Sequence, residues 1–238
     1  MRLLLLHGWG GNAPQRLIPL ADQLRAKGYD VFQPHMPGFG LHEPPDLPWG
    51  VDDYMKWIKD EVDKRGWDTF AVAGFSFGGR VAMHFTSQYS DRVQKLILIA
   101  ASGIKRPLSF KTKVVSFAGR VGKRIFSLPG LLFLQPVIHS IWRRLLKRKD
   151  YYRATVVMQK TFIKVIQDDL REIIPTITKQ TLIIWGKKDL HVPVQDAYYM
   201  NEHIKNSELK IFSQADHLVA YEYPEEVAEE IDNFLMTQ

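Results

Sequence analysis

Short apolar runs alternate along most of the chain with longer amphipathic stretches. The runs are aliphatic over four to six residues and are bounded by Gly, Pro or Asp, which is typical of strands buried on both faces of a sheet. The stretches between them have the spacing of helices. This alternation predicts an α/β fold with a mostly parallel sheet of about six strands and helices on both faces. The predicted strands are Arg2 to Leu6, Tyr29 to Gln33, Thr69 to Ala73, Lys95 to Ala100, Thr181 to Trp185 and Leu209 to Phe212. The predicted helices are Arg16 to Lys27, Val51 to Arg65, Gly79 to Tyr89, Val194 to His203 and Pro224 to Met236.

The pattern changes between residues 104 and 175, where no strand is predicted. Phe110, Val114 and Phe117 recur at intervals of three and four, and lysines and arginines occupy the other faces. We therefore predict a helical cap over residues 104–175, inserted into a core domain formed by residues 1–103 and 176–238.

The predicted cap is strongly basic. The whole chain has a formal net charge of +6, but residues 104–174 contain 16 Lys and Arg against 4 Asp and Glu. The cluster from Arg143 to Lys149 would suit an acidic partner or an anionic membrane surface. A solvated helix face is the simpler interpretation. We expect no nucleic-acid partner.

The composition and the motifs also restrict the kinds of functional site that are expected. The chain has no cysteine, which excludes disulfides, thiolate metal sites and a cysteine nucleophile. Neither a phosphate-binding loop nor paired histidines at metal spacing occur, so we expect no cofactor and no metal. The leucine run at residues 3–6 is too short for a signal peptide, and no stretch of about 18 apolar residues follows, so a cytoplasmic protein is expected.

The strongest local motif is Gly-x-Ser-x-Gly at residues 74–78, between a predicted strand and a predicted helix. A nucleophile on such a sharp turn has a strained backbone, and bulky neighbours would clash with it. Ser76 would then project at the start of a helix, where N–H groups favour developing negative charge. We interpret Ser76 as a nucleophile. The alternative is a glycine-rich turn with an incidental serine.

A serine hydroxyl needs a base, and the base needs a partner that fixes its tautomer. Asp189 follows the next-to-last predicted strand and His217 follows the last. Loops at the carboxyl ends of parallel strands meet at one edge of a sheet, so both should lie near Ser76. Taken singly, Asp189 would be read as a helix cap and His217 as a surface histidine. Their order after Ser76 favours a catalytic triad.

A glycine-rich loop follows the first predicted strand, with the sequence His7-Gly8-Trp9-Gly10-Gly11. Such a loop can direct a backbone N–H at the oxyanion of a tetrahedral intermediate. We nominate the N–H groups of Trp9 and Phe77 as this oxyanion hole. His7 itself is expected to be a buried loop histidine that hydrogen-bonds to backbone.

With these motifs, the sequence resembles the α/β-hydrolase family and especially its small esterase-like members with a cap. The resemblance rests on His-Gly-Trp-Gly at 7–10, Pro-Gly-Phe-Gly at 37–40, Gly-Phe-Ser-Phe-Gly-Gly at 74–79, Trp-Gly-x-x-Asp at 185–189 and Asp-His at 216–217. It implies the triad and the oxyanion donors already named. It also implies eight strands, but the first two have no counterpart in this sequence, so a six-stranded sheet is expected. His35 and Leu41-His42 stand where many relatives have Asp and Ser, which should alter the floor of the pocket.

The expected function is cleavage of a carboxylic ester through an acyl-enzyme. The substrate would be a small-molecule ester with an apolar acyl group, and Phe133 and Trp142 of the predicted cap are candidates for its pocket. Thioester or carbon–carbon bond cleavage by the same triad is a second hypothesis, since the motifs do not define the bond. A third is a binding module without catalysis on a hydrolase scaffold.

Overall fold

The computed structural model describes residues 1–105 and 155–237. The chain divides into two compact units, Met1–Ile104 with Val156–Gln238, and Lys105–Thr155. The pocket candidates Phe133 and Trp142, and the basic cluster at 143–149, lie outside the described residues. The cap over 104–175 stays a prediction.

The described residues form one six-stranded sheet in which every neighbouring pair is parallel. This confirms the predicted fold class, although the sheet is wholly rather than mostly parallel. The strands lie in the order β2-β1-β3-β4-β5-β6. Every residue of β3 and β5 is buried, as their unbroken apolar runs require. The strands are β1 (Arg2–Leu6), β2 (Asp30–Phe32), β3 (Phe70–Phe75), β4 (Val93–Ile99), β5 (Thr181–Gly186) and β6 (Ser207–Phe212).

Each of the five helices predicted for the core is present, four of them with shifted boundaries, and the described residues add the short helices at Ala13–Arg16 and Val219–Glu222 and a longer one at Val156–Gln167. The helix predicted from Arg16 to Lys27 runs from Ile18 to Ala26, with Pro19 in its first turn, where the missing N–H costs no hydrogen bond; a separate helix, Ala13–Arg16, precedes it. No helix in the described ranges has both the length and the apolarity that a membrane span needs. The helices are α1 (Ala13–Arg16), α2 (Ile18–Ala26), α3 (Val51–Lys64), α4 (Phe77–Gln88), α5 (Val156–Gln167), α6 (Gln195–His203), α7 (Val219–Glu222) and α8 (Pro224–Met236). Two short 3₁₀ turns occur at Ser90–Arg92 and Ile174–Thr176.

The connections place helices on both faces of the sheet. The chain moves from β1 to β2 in one direction across the sheet, and then from β2 through β3, β4 and β5 to β6 in the other. Because parallel crossovers are right-handed, α2 lies on one face and α3, α4 and α6 lie on the opposite face. Helix α8 packs against α2 and so completes the first face. The direction changes between β1 and β3, and in open α/β sheets ligands bind beyond the carboxyl ends of the strands at such a point.

Candidate active site

Ser76 lies on a strained turn at the carboxyl end of β3. Its φ of 52° and ψ of −109° place a non-glycine residue in a region that costs about 1–3 kcal/mol. The glycines on either side of it are required because there is no room for a side chain at these positions. A Cβ at Gly74 would overlap the carbonyl of Gly78, and one at Gly78 would overlap the carbonyl of Leu6. Helix α4 therefore begins at Phe77, two residues before the predicted start.

Three side chains that are distant in sequence form a continuous hydrogen-bonded line. The His217 ring donates from Nδ1 to Asp189 Oδ2 at 2.7 Å, which is an ion pair when the ring is protonated. Because that carboxylate can only accept, the second ring nitrogen is free to accept the Ser76 hydroxyl, and Nε2 lies 3.1 Å from Oγ. Ser76 is therefore adjacent to a proton acceptor, His217 Nε2, and Asp189 fixes the tautomer of that ring.

Asp189 is buried in the turn that follows β5 and is fully hydrogen-bonded there. Its Oδ1 accepts the N–H groups of His191 and Val192, each at 2.8 Å, and its Oδ2 accepts His217. The same carboxylate thus closes its own turn and orients the imidazole. Gly186 lets the two loops meet, since a Cβ there would overlap the backbone of Asp216.

Two rings pack near the imidazole of His217. The ring of Phe75 lies 5.3 Å from it between centroids, and the exposed ring of His191 lies 5.2 Å away. Asp216 fixes the turn after it by accepting the N–H of Leu218 at 2.7 Å. The imidazole is therefore positioned by packing as well as by Asp189.

The loop after β1 approaches Ser76 closely. A Cβ on Gly8 would lie 2.9 Å from the ring of Phe75 and 3.4 Å from the Cβ of Ser76, so only glycine fits without displacement. In residues 1–105 and 155–237, the N–H groups of Trp9 and Phe77 donate to no protein acceptor. These two donors belong to the residue after Gly8 and the residue after Ser76.

His7 is fully buried and orients this loop, as expected for a buried histidine bonded to backbone. The N–H of Met36 donates to Nε2 at 3.0 Å, so the ring proton is on Nδ1, which donates to the Gly8 carbonyl at 2.8 Å. Burial lowers the pKa of His7 to about 4, so the ring is neutral at pH 7. The Gly8 carbonyl and the Trp9 N–H belong to one trans peptide and point in opposite directions. Holding the carbonyl towards His7 therefore turns the Trp9 N–H away from it.

Aromatic rings form a wall beside the two donors. The indole of Trp9 packs edge-on against Phe39 at 4.9 Å and Phe77 at 5.3 Å, and lies 5.0 Å from Phe162. Phe162 comes from α5, and no sequence motif marks it as part of the site. The apolar residues Met158, Phe162 and Val165, which recur at intervals of four and three, were the sequence signal for a packed helix there.

Arg80 is a second residue that the motifs did not reveal. Its side chain is 5% exposed and donates to the carbonyl of Asp168, whose carboxylate lies 3.6 Å away. His84 contacts the same carboxylate at 2.8 Å. Burial raises the pKa of this carboxyl, but His84 and Arg80 outweigh it and hold the pKa below its usual value. This cluster fastens the segment after α5 to α4, the helix that begins beside Ser76.

The structure thus brings Ser76, His217 and Asp189 together and places Trp9 and Phe77 beside them. Among the residues that it describes, no three His, Asp or Glu side chains cluster as metal ligands would.

An all-parallel sheet with helices on both faces defines a doubly wound α/β protein. Residues 2–124 match the family described as alpha/beta hydrolase fold. The chain belongs to the α/β-hydrolase family.

Similar proteins include hydrolases of more than one kind. A 2-hydroxymuconate semialdehyde hydrolase of Pseudomonas putida is 25% identical over 98% of this chain and 86% of its own length. A pimeloyl-[acyl-carrier protein] methyl ester esterase of Neisseria meningitidis is 26% identical over 91% of this chain and 86% of its own length. Among solved structures, an esterase from Exiguobacterium antarcticum has a TM-score of 0.76 at 22% identity and covers 100% of this chain and 92% of that one. The last likeness concerns the fold alone.

Proposed function

We propose that this protein is a serine hydrolase that cleaves carboxylic esters through an acyl-enzyme. The observation that carries the proposal is the line of two hydrogen bonds from Asp189 through His217 to the Ser76 hydroxyl, at 2.7 and 3.1 Å. Nucleophile, base and orienting group are each within the reach that proton transfer requires.

In the first step, Ser76 Oγ attacks the ester carbonyl while its proton passes to His217 Nε2. The resulting imidazolium is stabilised by Asp189, which keeps its charge throughout. The carbonyl oxygen becomes an oxyanion, and the unused N–H groups of Trp9 and Phe77 would receive it. When the tetrahedral intermediate collapses, the proton of His217 goes to the alcohol, which leaves.

In the second step, water attacks the acyl-enzyme. His217 Nε2 takes a proton from the water, a second tetrahedral intermediate forms at the same donors, and the proton returns to Ser76 Oγ as the acid leaves. The free enzyme is regenerated, and no cofactor enters the scheme.

The substrate side of the proposal rests on the aromatic wall. Trp9 and Phe162 are only partly buried, and they present apolar surface beside Phe77, the buried residue that follows the nucleophile. A small ester with an apolar acyl or alcohol group would lose water-exposed surface against these rings. The esterase among the similar proteins supports this substrate class.

Steady-state kinetics with a chain-length series of p-nitrophenyl esters tests the proposal. We expect turnover by the wild type and a loss on the order of 10⁶-fold in Ser76→Ala, because the triad acts as a unit. Thr86→Ala, elsewhere on α4, is the matched control for a lost hydroxyl and should retain activity. Retention of more than a few per cent of turnover by Ser76→Ala, with contaminating esterase excluded, would contradict the assignment.

Carbon–carbon bond cleavage is the second candidate function. It is favoured by the similarity to 2-hydroxymuconate semialdehyde hydrolase over 98% of this chain. The two candidates separate in a direct comparison of kcat/KM for 2-hydroxymuconate semialdehyde, p-nitrophenyl esters and a matching thioester. A preference of at least about tenfold for the first substrate would replace the ester assignment.

A binding protein without catalysis is the remaining alternative. It would have no need for an imidazole aligned on a serine hydroxyl at 3.1 Å. Binding of esters with no turnover of any acyl substrate would favour it.

A further inference from the structure

The two edges of the sheet are unlike each other. At one edge, β2 has only three residues, and arginines cover it: Arg25 donates to the Val31 carbonyl at 3.3 Å and the Arg65 guanidinium lies 3.6 Å from the Phe32 ring centroid. At the other edge, β6 has six residues. Short, covered edges resist pairing with other chains, whereas long open ones invite it.

Strand β6 has a row of unpaired backbone groups. The N–H of Thr181 donates to Asn206 O at 2.8 Å and that of Lys187 to Phe212 O at 2.9 Å, which fixes the register with β5. Every second residue of a paired strand turns both backbone groups to its neighbour. Ser207, Leu209 and Ile211 therefore direct theirs outward. Within the part of the chain that the structure describes, no protein group pairs with them.

The side chains of β6 leave this edge partly exposed. Leu209 and Ile211 are half-buried, unlike the fully buried positions of β3 and β5. Glu208 and Lys210 share the opposite face, where Lys210 lies 3.1 Å from Glu230 of α8. The outward edge thus combines unused hydrogen-bonding groups, apolar surface and one charge of each sign.

We propose that β6 pairs antiparallel with β6 of a second copy of this chain, about a two-fold axis at Leu209. In this register the two copies of Leu209 form a hydrogen-bonded pair, and Ser207 of each copy faces Ile211 of the other. Glu208 of each copy lies opposite Lys210 of the other, which gives two cross-strand ion pairs.

The charges select this register among the symmetric ones. An axis at Glu208 would place the two glutamates opposite each other, and an axis at Lys210 would do the same with the two lysines. Both juxtapositions are destabilising. An axis at Ser207 or Ile211 would leave two of the three outward residues of β6 without a partner inside the strand. The axis at Leu209 alone pairs all three outward residues and opposes no like charges, so a second copy of the chain is the occupant that the edge fits.

Sedimentation velocity from about 1 to 100 μM tests the pairing. The wild type should dimerise in this range. Glu208→Lys and Lys210→Glu should each weaken self-association at least about tenfold, because each replaces two attractive pairs by two repulsive ones. An equimolar mixture of the two variants should restore the dimer, since lysines of one chain then face glutamates of the other.

Two further variants keep the test decisive. Leu209→Pro removes an outward N–H that the fold does not use, so it should abolish the dimer with little change in the thermal midpoint of unfolding. Asp60→Lys, on an exposed position of α3, is the matched control for charge and should leave the dimer intact. A wild type that stays monomeric at 100 μM, or a dimer that persists in Leu209→Pro, would overturn the proposal. Neither outcome depends on the proposed esterase activity.

Discussion

Lowering the pH should destabilise the fold through His7. Because burial lowers the pKa of this ring from 6.5 to about 4, the unfolded chain binds a proton between these values and the folded chain does not. Stability then rises with pH through this window and is lost as the pH falls from 6.5 towards 4. A pKa difference of that size lowers the free energy of unfolding by roughly 3 kcal/mol in all, and about 2 kcal/mol of this is lost between pH 7 and pH 5.

The assay is urea unfolding, followed by tryptophan fluorescence at pH 7 and pH 5, for the wild type, His7→Gln and His7→Asn. Neither amide side chain titrates. Between pH 7 and pH 5 the free energy of unfolding should therefore fall by about 2 kcal/mol less in both variants than in the wild type. Their side chains reach different partners. Asn can still donate to the Gly8 carbonyl, whereas Gln extends to the position of Nε2 and can accept the N–H of Met36.

This difference also tests the role of His7 in orienting the loop. If the bond to the Gly8 carbonyl aligns the Trp9 N–H, His7→Gln should lower kcat more than His7→Asn does, with KM less affected. An unfolding free energy that responds to pH equally in all three proteins would refute the reasoning on burial. Equal kcat in the two variants would refute the reasoning on alignment.

Three further changes have definite expected outcomes. Gly8→Ala should lower kcat at least about tenfold by displacing the loop, whereas Gly11→Ala, whose added Cβ meets nothing within 4 Å, should not; steady-state kinetics measures both. Ser76→Gly should abolish activity yet raise the unfolding free energy by about 1 kcal/mol, because glycine relieves the positive φ; urea titration against Ser76→Ala checks this. Asp168→Ala should cost roughly 1–3 kcal/mol in the same titration by removing the carboxylate beside the buried Arg80.

Much of the fold could be predicted because each buried strand is a short apolar run between turn residues. The errors lie where a local feature competes with periodicity. The helix predicted from Arg16 begins at Ile18, because Pro19 suits the first turn of a helix, and apolar spacing alone does not show this start. The predicted start of α4, Gly79, is two residues too late. The helix begins directly after the strained backbone of Ser76, and a hydrophobic pattern carries no information on backbone strain.

The residues of the candidate site that follow the ends of strands could be predicted from the sequence. Asp189 and His217 each follow a strand, and the parallel order brings such loops to one edge. The contribution of Phe162 to the wall depends on how α5 packs, which no motif encodes. The anchoring of Arg80 by Asp168 is likewise a contact across 88 positions of sequence. Contacts of this kind follow from tertiary packing rather than from local pattern.

Covalent labelling with a fluorophosphonate, followed by peptide mapping, tests the proposed triad most directly. We expect one modified residue, Ser76, with labelling slowed at least about a hundredfold in His217→Gln because the base is then absent. His203→Gln, at the end of α6, should label like the wild type. A protein that resists the reagent, carries the adduct on another residue, or reacts equally fast without His217 would contradict the triad.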